Sequence, residues 1–237
     1  MTGLLQPGEL GTVLGIWAHP DDEAYLMAGT ALTAAAAGST IACVTATAGD
    51  AGESADEDRW PRAQLGTIRR REIADSLAVL AIEDHIWLDL DDGGVADVDQ
   101  STGVGLLAAA IERVQPDTVL TFGPDGMTGH PDHIAIGDWA TKAAAMVRGD
   151  RCQVLAATKT PAWLEAFAQV NQGIIAPDPP CTPPEDLALC VHLEGDLLDT
   201  KLRALRAQAS QTSGLISALG ESTYRAWVAT EFWVRRS

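Results

Sequence analysis

Basic residues are scarce in this chain of 237 residues. Only 16 Lys and Arg residues stand against 33 Asp and Glu residues, which gives a net charge of −17 and an isoelectric point near 4.4. The first basic residue along the chain is Arg59. A protein this acidic repels nucleic-acid phosphates and anionic lipid headgroups. We therefore expect neither a nucleic acid nor a membrane surface among its partners.

Long hydrophobic runs and paired cysteines are also missing. No apolar run approaches the ~18 residues of a membrane helix, and the amino-terminal segment lacks the positive charge of a secretory signal peptide. Cys43, Cys152, Cys181 and Cys190 are far apart and form no Cys-x-x-Cys pair. We expect a cytoplasmic protein without membrane insertion, in which these cysteines are buried thiols.

The remaining composition is that of a globular protein, with 46% apolar and 21% charged residues. Short apolar runs predict strands at 13–17, 40–46, 85–90, 117–122 and 154–157. Segments rich in alanine or with helical periodicity predict helices near 23–37, 62–80, 106–114, 134–147 and 198–219, and we expect the last two to pack on the sheet. The alternation predicts a single-domain, Rossmann-like α/β fold over residues 1–237, with a mostly parallel sheet and helices on both faces. Prolines crowd residues 177–184, which predicts a rigid loop or covering flap.

Two short segments share the pattern His-Pro-Asp. One spans residues 19–23 (HPDDE) and the other residues 130–133 (HPDH). Each follows a predicted parallel strand and opens a predicted helix, which places both at the carboxyl ends of strands, where open α/β sheets bind ligands. We expect the two segments to converge on one site.

The residue types in these segments suit a metal centre. A catalytic zinc takes three His or carboxylate ligands and keeps one position for water. His19, Asp22 and one of His130 or His133 supply such a set, and spacing does not choose between the last two. Asp21 could then take a proton from the water, and the remaining histidine could stabilise an oxyanion. The alternative is that the acidic residues only cap helix starts, but two matching segments at equivalent positions favour the metal site.

Other sequence patterns give weaker evidence of function. Residues 103–108 match G-x-G-x-x-A but follow a polar stretch rather than a strand, which argues against a dinucleotide site. The motifs of serine hydrolases and of P-loop proteins are absent. The acidic stretch at 50–58 is typical of a solvated loop. Four tryptophans and two histidines are expected to lie outside the site, as core, edge or interface residues: Trp60, Trp163, Trp227, Trp233, His85 and His192.

Together the motifs resemble the PIG-L/LmbE-like family of zinc-dependent N-acetylglucosaminyl deacetylases. Beside the two His-Pro-Asp segments, the resemblance extends to residues 44–52, 69–72, 92–94 and 201–205, and to Ser210 and Gln211. The resemblance implies an LmbE-like fold, a Zn²⁺ cofactor, a small-molecule amino-sugar substrate and, by analogy, a homo-oligomer.

The same resemblance implies a role for each site residue. It assigns His19, Asp22 and His133 as metal ligands and Asp21 as general base. His130 would stabilise the oxyanion and would be oriented by Asp132. Two residues would contact sugar hydroxyls: Arg69 and Asp92. For Arg69 the alternative is a place in a solvated, salt-bridged helix face.

Two residues depart from the family pattern. Thr128 stands where the thiol-precursor deacetylases of the family carry a tyrosine, and Gln208 stands where many members have a histidine. The predicted function is hydrolysis of the N-acetyl group of an N-acetylglucosamine-type sugar or conjugate. Two alternatives stay open: a non-catalytic sugar- or nucleotide-binding protein that keeps the metal site, and a zinc amidase acting on a larger sugar-thiol amide.

Overall fold

Seven strands form one sheet in the structure, a computed structural model that describes residues 4–236. The strands are β1 (Val13–Trp17), β2 (Ile41–Thr47), β3 (Asp84–Leu90), β4 (Thr118–Phe122), β5 (Gln153–Thr158), β6 (Leu189–His192) and β7 (Thr230–Arg236). Their order is β3-β2-β1-β4-β5-β7-β6. Strands β1 to β5 run parallel to one another, whereas β7 is antiparallel to both β5 and β6. The predicted single-domain, mostly parallel α/β fold is confirmed, and β6 contains His192, whose apolar surroundings are strand-like in the sequence, but the sequence patterns did not indicate β7.

Ten helices surround the sheet in the described part of the chain. They are α1 (Asp22–Leu26), α2 (Ala28–Ala36), α3 (Leu65–Val79), α4 (Gln100–Val114), α5 (Pro131–Val147), α6 (Pro161–Ala166), α7 (Ala168–Asn171), α8 (Gly195–Ala207), α9 (Ala209–Leu219) and α10 (Glu221–Trp227). The predicted first helix is divided at Met27, and the predicted helix over 198–219 is divided at Gln208. Residues 103–108 lie inside α4, where Gly103 faces the Trp139 ring, so the glycine pattern serves helix packing and not a phosphate loop.

Helix α5 packs on β1, β4 and β5, as expected. For the 198–219 segment, α8 lies against α3 and α2, and its Lys201 reaches Glu231 of β7. Four apolar side chains of α8 belong to the same core cluster as the strands: Leu198, Leu202, Ala204 and Leu205.

The centre of the core lies under the carboxyl ends of β1 and β4. Trp17 and Phe122, the last residues of these strands, meet edge to face with ring centroids 5.1 Å apart. Phe122 then stacks on His133 at 4.2 Å and an interplanar angle of 12°. Core packing at the ends of these two strands thus fixes the position of a histidine of the second His-Pro-Asp segment.

The cysteines only partly match expectation. All four are free thiols, and Cys43 is buried, but Cys152 is half-buried and both Cys181 and Cys190 are exposed. Cys190 lies on β6, where side chains alternate between buried and exposed, and Cys181 lies in the proline-rich segment, which is mostly exposed. No described helix has the length and apolar character needed to cross a membrane.

Candidate active site

The two His-Pro-Asp segments meet beside the sheet. They follow β1 and β4, which are neighbours in the sheet, while the connections from β1 lead to β2 on the other side. This is the point where the strand order reverses, and ligands of such sheets bind there. The Nδ1 of His19 lies 3.1 Å from the Nε2 of His133.

The tautomer of His19 is set by two carboxylates. Its Nε2 lies 3.0 Å from Asp92 Oδ1 and 3.3 Å from Asp132 Oδ2, so that a proton on Nε2 is donated to these oxygens. The Nδ1 of His19 then faces His133. Burial lowers the pKa of His19, but the hydrogen bonds to Asp132 and Asp92 and the charge of Asp22 outweigh it and raise the pKa to about 10. The surroundings of His19 thus favour positive charge.

The tautomer of His133 is set by the backbone. Its Nδ1 lies 2.9 Å from the carbonyl oxygen of Gly126, to which it donates, and 3.4 Å from Thr128 Oγ1. Burial lowers the pKa of His133, which favours the neutral imidazole. The Nε2 lone pair is therefore free and faces Nδ1 of His19, so that either a proton on Nδ1 of His19 or a metal cation can lie between the two nitrogens.

Asp22 completes this set. Its Oδ1 lies 3.5 Å from His133 Nε2 and its Oδ2 lies 3.9 Å from His19 Nδ1, while the backbone N–H of His19 donates to Oδ2 at 2.8 Å. Ligands about 2.0–2.1 Å from a tetrahedral zinc lie about 3.3 Å from one another. The donor types of these three side chains suit a divalent cation, whereas the groups whose ligand atoms all lie within 4.8 Å of one another are His19 with His130 and His133, and His19 with Asp92 and Asp132.

Asp21 has an unusual backbone. Its φ is 100°, in the left-handed region that non-glycine residues seldom adopt, and its N–H donates to Glu23 Oε2 at 3.0 Å. Its side chain makes no capping bond to α1. The alternative that these acidic residues only cap a helix is thus wrong for Asp21. Burial raises the pKa of Asp21, although the Arg69 guanidinium opposes this shift.

Arg69 holds the turn that carries Asp21. Its guanidinium donates to the carbonyl oxygens of Pro20 at 2.5 Å and Gly49 at 2.7 Å, and it lies 3.4 Å from Asp21 Oδ2. A Cβ at Gly49, which has a φ of 67°, would collide with this guanidinium. Arg69 is only 4% exposed, so the alternative of a solvated helix face is wrong. It also lines the cavity.

His130 and Asp132 are arranged differently from the expectation. The Asp132 carboxylate contacts His19 and accepts the Gly93 N–H at 2.8 Å, and Asp132 reaches His130 only through its backbone N–H, which donates to His130 Nδ1 at 3.2 Å. The expected orientation of His130 by the carboxylate is therefore replaced by a helix cap, since His130 is the N-cap of α5. This bond leaves the proton of neutral His130 on Nε2. The ring centroids of His130 and His19 are 4.9 Å apart.

Residues farther along the chain form hydrogen bonds with Glu23 of the first His-Pro-Asp segment and with Glu72 of α3. Gln208 is buried and donates to Glu23 Oε1 at 2.5 Å, and Ser76 donates to the same oxygen at 3.0 Å. Burial raises the pKa of Glu23 to about 8. Glu72 of α3 accepts bonds from the backbone N–H and the hydroxyl of Ser210 at 2.8 and 2.5 Å. The motifs at 69–72 and 210–211 thus join α3 to α9.

A cavity of about 490 Å³ opens from this centre. All eight predicted site residues except Asp132 line it, and Asp132 lies behind His19 with no exposed surface. Trp163 and Trp227 also line it, so the expectation that they lie outside the site is wrong. An aromatic residue near a helix end gives no sequence signal that separates a cavity wall from the core. Trp233 is in the core, and the other two histidines lie elsewhere, His85 beside Thr45 and His192 beside Thr230.

Comparisons with known proteins agree with this geometry. The profile of the family described as "PIG-L: GlcNAc-PI de-N-acetylase" matches residues 14–144, which include both His-Pro-Asp segments. The chain is 31% identical to the 1D-myo-inositol 2-acetamido-2-deoxy-alpha-D-glucopyranoside deacetylase of Mycobacteroides abscessus, over 83% of this chain and 80% of that protein. It is 29% identical to the protein of the same name from Saccharomonospora viridis, over 84% of each chain.

The solved structures agree on the fold. The N,N'-diacetylchitobiose deacetylase from Pyrococcus horikoshii superimposes with a TM-score of 0.65 at 22% identity, covering 99% of this chain and 87% of that one. Since the family profile matches more than half of the chain and the likeness to the curated relatives extends over most of its length, this chain belongs to the PIG-L family of GlcNAc-PI de-N-acetylases.

Proposed function

We propose that this protein is a metal-dependent N-deacetylase that hydrolyses the acetamide of an N-acetylglucosamine-type sugar. The observation that carries the proposal is the convergence of two imidazole nitrogens, His19 Nδ1 and His133 Nε2, at 3.1 Å with the Asp22 carboxylate beside them. The names of the curated relatives support an acetamido sugar as substrate. Membership in the family supports the reaction type.

We propose zinc as the cation and His19, Asp22 and His133 as its ligands. When bound there, a divalent cation supplies a water of lowered pKa and an electrophilic centre for the amide oxygen. Asp92 and Asp132 orient His19 from behind, and the Gly126 carbonyl orients His133. Partners of this kind fix the tautomer and raise the basicity of ligating imidazoles.

Asp21 is the general base in this proposal. Asp21 is held beside the proposed ligands in two ways. Its backbone N–H donates to the Glu23 carboxylate, and its own carboxylate lies beside the Arg69 guanidinium. A pKa raised toward neutrality suits a group that must accept a proton from water and later return it. The returned proton goes to the nitrogen of the leaving amine as the C–N bond breaks.

His130 donates to the developing oxyanion. Because its Nδ1 accepts the Asp132 N–H, its Nε2 carries the proton in the neutral ring and can donate. Arg69 and Asp92 stay our candidates for contacts with the sugar hydroxyls, since both line the cavity. A location in the cytoplasm is also proposed, and four free thiols suit a reducing compartment. A homo-oligomer stays a prediction.

Release of amine from N-acetylglucosamine and its glycosides tests the function. The purified protein should release free amine, lose this activity after chelation and regain it when zinc is returned. Sugar binding without amine release in the zinc-loaded protein would instead support the non-catalytic binding protein.

A further inference from the structure

The cavity has two chemically different sides, which lie over opposite halves of the sheet. The side over β2 and β3, here called the polar lobe, is formed by Ala51, Gly52, Arg69, Asp92, Gly93 and Gln211. The side over β5 and β7, here called the apolar lobe, is formed by Tyr25, Met127, Trp163, Ile174, Ile175 and Trp227. The two His-Pro-Asp segments follow β1 and β4, which lie between these halves. The site of hydrolysis therefore separates the two lobes.

Aromatic rings form one wall of the apolar lobe. The rings of Trp163 and Trp227 stack with centroids 6.3 Å apart at an angle of 27°, and Tyr25 meets Trp227 at 5.8 Å. All three side chains are half-buried, so part of each ring is open to a ligand. The cavity volume of about 490 Å³ lies within the range of about 300–1,000 Å³ for pockets that bury drug-sized ligands. An acetyl methyl group alone would leave most of this lobe unfilled.

The charged side chains around the apolar lobe are already paired within the protein. Lys159 donates to Asp125 at 2.5 Å and to the Met127 carbonyl at 2.9 Å. Glu231 accepts from Lys201 at 2.6 Å and from the N–H groups of Gly29 and Thr30. These charges are thus committed to internal partners.

The hydroxyls of the lobe are paired as well. Thr158 bonds Thr182 at 2.7 Å, Thr230 bonds His192 at 2.7 Å, and Tyr25 accepts from Tyr224 at 3.0 Å. A polyol that entered this lobe would lose hydrogen bonds to water and form few new ones with the protein, which costs free energy. An apolar group would instead be stabilised by the burial of its surface away from water. The lobe is therefore suited to an apolar part of the substrate.

We propose that the apolar lobe binds the acyl group of the substrate and that the enzyme prefers N-acyl amino sugars with acyl groups larger than acetyl. This inference rests on the proposed function. The carbonyl carbon of an amide bound between the two His-Pro-Asp segments carries the sugar nitrogen on one side and the rest of the acyl group on the other. With the sugar hydroxyls in the polar lobe, the acyl group extends over β5 and β7. Hydrolysis breaks the C–N bond, transfers the water oxygen to the acyl carbon and the proton to the amine, and yields a carboxylic acid and an amino sugar.

A series of N-acyl glucosamines tests the proposal. We expect kcat/KM of the zinc-loaded enzyme to rise about two- to fourfold for each added methylene from acetyl to hexanoyl, since burial of one methylene contributes about 0.8 kcal/mol. A series that is flat or falls, with acetyl as the best substrate, would overturn the inference and leave the proposed function intact. Lack of amine release from every member, acetyl included, would overturn both.

A second series separates the acyl group from the aglycone. It keeps the acetyl group and replaces a methyl glycoside with hexyl and phenyl glycosides. We expect kcat/KM to change little along this series. A rise with the apolar glycosides and none with the acyl chains would assign the lobe to the aglycone and overturn the acyl assignment.

Variants locate the preference in the lobe. Trp163→Ala removes one wall and should flatten the dependence of kcat/KM on chain length, and Ile175→Trp should narrow the lobe and move the best substrate to a shorter chain. Trp87→Ala is the matched control, because Trp87 is also half-buried but lies on the edge strand β3 under Arg70. If both lobe variants melt as the wild type does and keep its chain-length dependence, the inference is wrong.

Discussion

The Nδ1 of His19 and the Nε2 of His133 face each other at 3.1 Å, and each ring has its other nitrogen held by the protein. Carboxylates hold the proton of His19 on Nε2, and a carbonyl oxygen holds that of His133 on Nδ1. The protein thus directs two imidazole nitrogens at one point that a third group, Asp22, also borders. Either a proton shared between the nitrogens or a metal cation can lie at this point, and the second is the basis of the proposed metal centre.

Replacement of either histidine should abolish this centre. Loss of a side chain that hydrogen-bonds to a metal ligand typically lowers metal affinity by about 10- to 100-fold. We expect His133→Ala, which removes a proposed ligand itself, to lower zinc affinity by at least as much. Metal analysis after dialysis should find about one zinc per wild-type chain and little in the variant. His85→Ala, which removes a histidine outside the site, should keep its zinc. Full zinc content in His133→Ala would contradict the assignment of His133 as a ligand.

Asp21 should affect turnover without affecting metal content. Asp21→Asn keeps the shape of the side chain but removes the base, and we expect kcat to fall by about 10²–10⁴-fold. Zinc stoichiometry should stay at the wild-type value, because the ligand set does not include this residue. Asp50→Asn, in the exposed stretch near the cavity, is the control and should keep wild-type turnover. Wild-type activity in Asp21→Asn would exclude Asp21 as the base.

Asp132 should act through His19. Asp132→Asn replaces an oxygen that accepts from His19 Nε2, and an amide in its place can present a donor to the same nitrogen. The His19 tautomer would then be less well fixed, and we expect zinc affinity to fall about 10–100-fold. Asp138→Asn on the same helix is the control, since Asp138 pairs on the surface with Lys142. Calorimetric titration with zinc separates the two cases, and equal affinities for both variants would argue that Asp132 is only structural.

The sequence predicts which side chains meet at this edge of the sheet, because short-range rules determine their placement. A buried apolar strand followed by a polar turn and a helix places the turn at one known edge of the sheet, and the residues of the turn then show their chemistry directly. Spacing could not distinguish His130 from His133. The family resemblance assigned His133 as the ligand, and this choice stays a prediction because His130 and His133 both lie close enough to His19 to share a metal ion with it.

Other parts of the molecule depend on contacts between distant segments. Strand β7 carries Glu231 and two arginines, and its burial alternates because one side faces the helices, so no continuous apolar run marks it. Trp163 and Trp227 line the cavity only because α6 and α10 lie side by side. The exposure of Cys190 follows from its place on an edge strand. Such features depend on the assembled sheet, so a local sequence pattern cannot predict them.

The buried ion pair between Lys201 and Glu231 should dominate the stability of the α8–β7 contact. Their charged atoms are 2.6 Å apart with side chains 0% and 2% exposed. Lys201→Met leaves a buried carboxylate without its cation, and we expect the free energy of unfolding to fall by about 3–5 kcal/mol, near the lower value because Gly29 and Thr30 still donate to Glu231. Urea unfolding followed by circular dichroism measures this.

The control for this pair lies on the surface. Lys142→Met breaks the exposed pair with Asp138 and should cost no more than about 1 kcal/mol. If the two lysine variants lose equal stability, the buried pair contributes no more than a surface pair and the expectation is wrong.

His85 should make stability depend on pH. Burial lowers the pKa of His85 from 6.5 to about 4, with a further decrease from Arg70 that Asp84 partly opposes. The unfolded chain therefore binds a proton at this residue between these pH values while the folded chain does not, so stability is complete above pH 6.5 and is lost as the pH falls toward 4. Because the ring is partly exposed, we expect a loss of about 1–3 kcal/mol. His85→Gln keeps a partner for Thr45 but cannot titrate. The free energies of unfolding of the wild type and of His85→Gln are to be compared at neutral pH and near pH 4.5. Relative to the wild type, the variant should be more stable at the acidic pH than at neutral pH. A difference that does not change with pH would show that His85 titrates alike in the folded and unfolded chains.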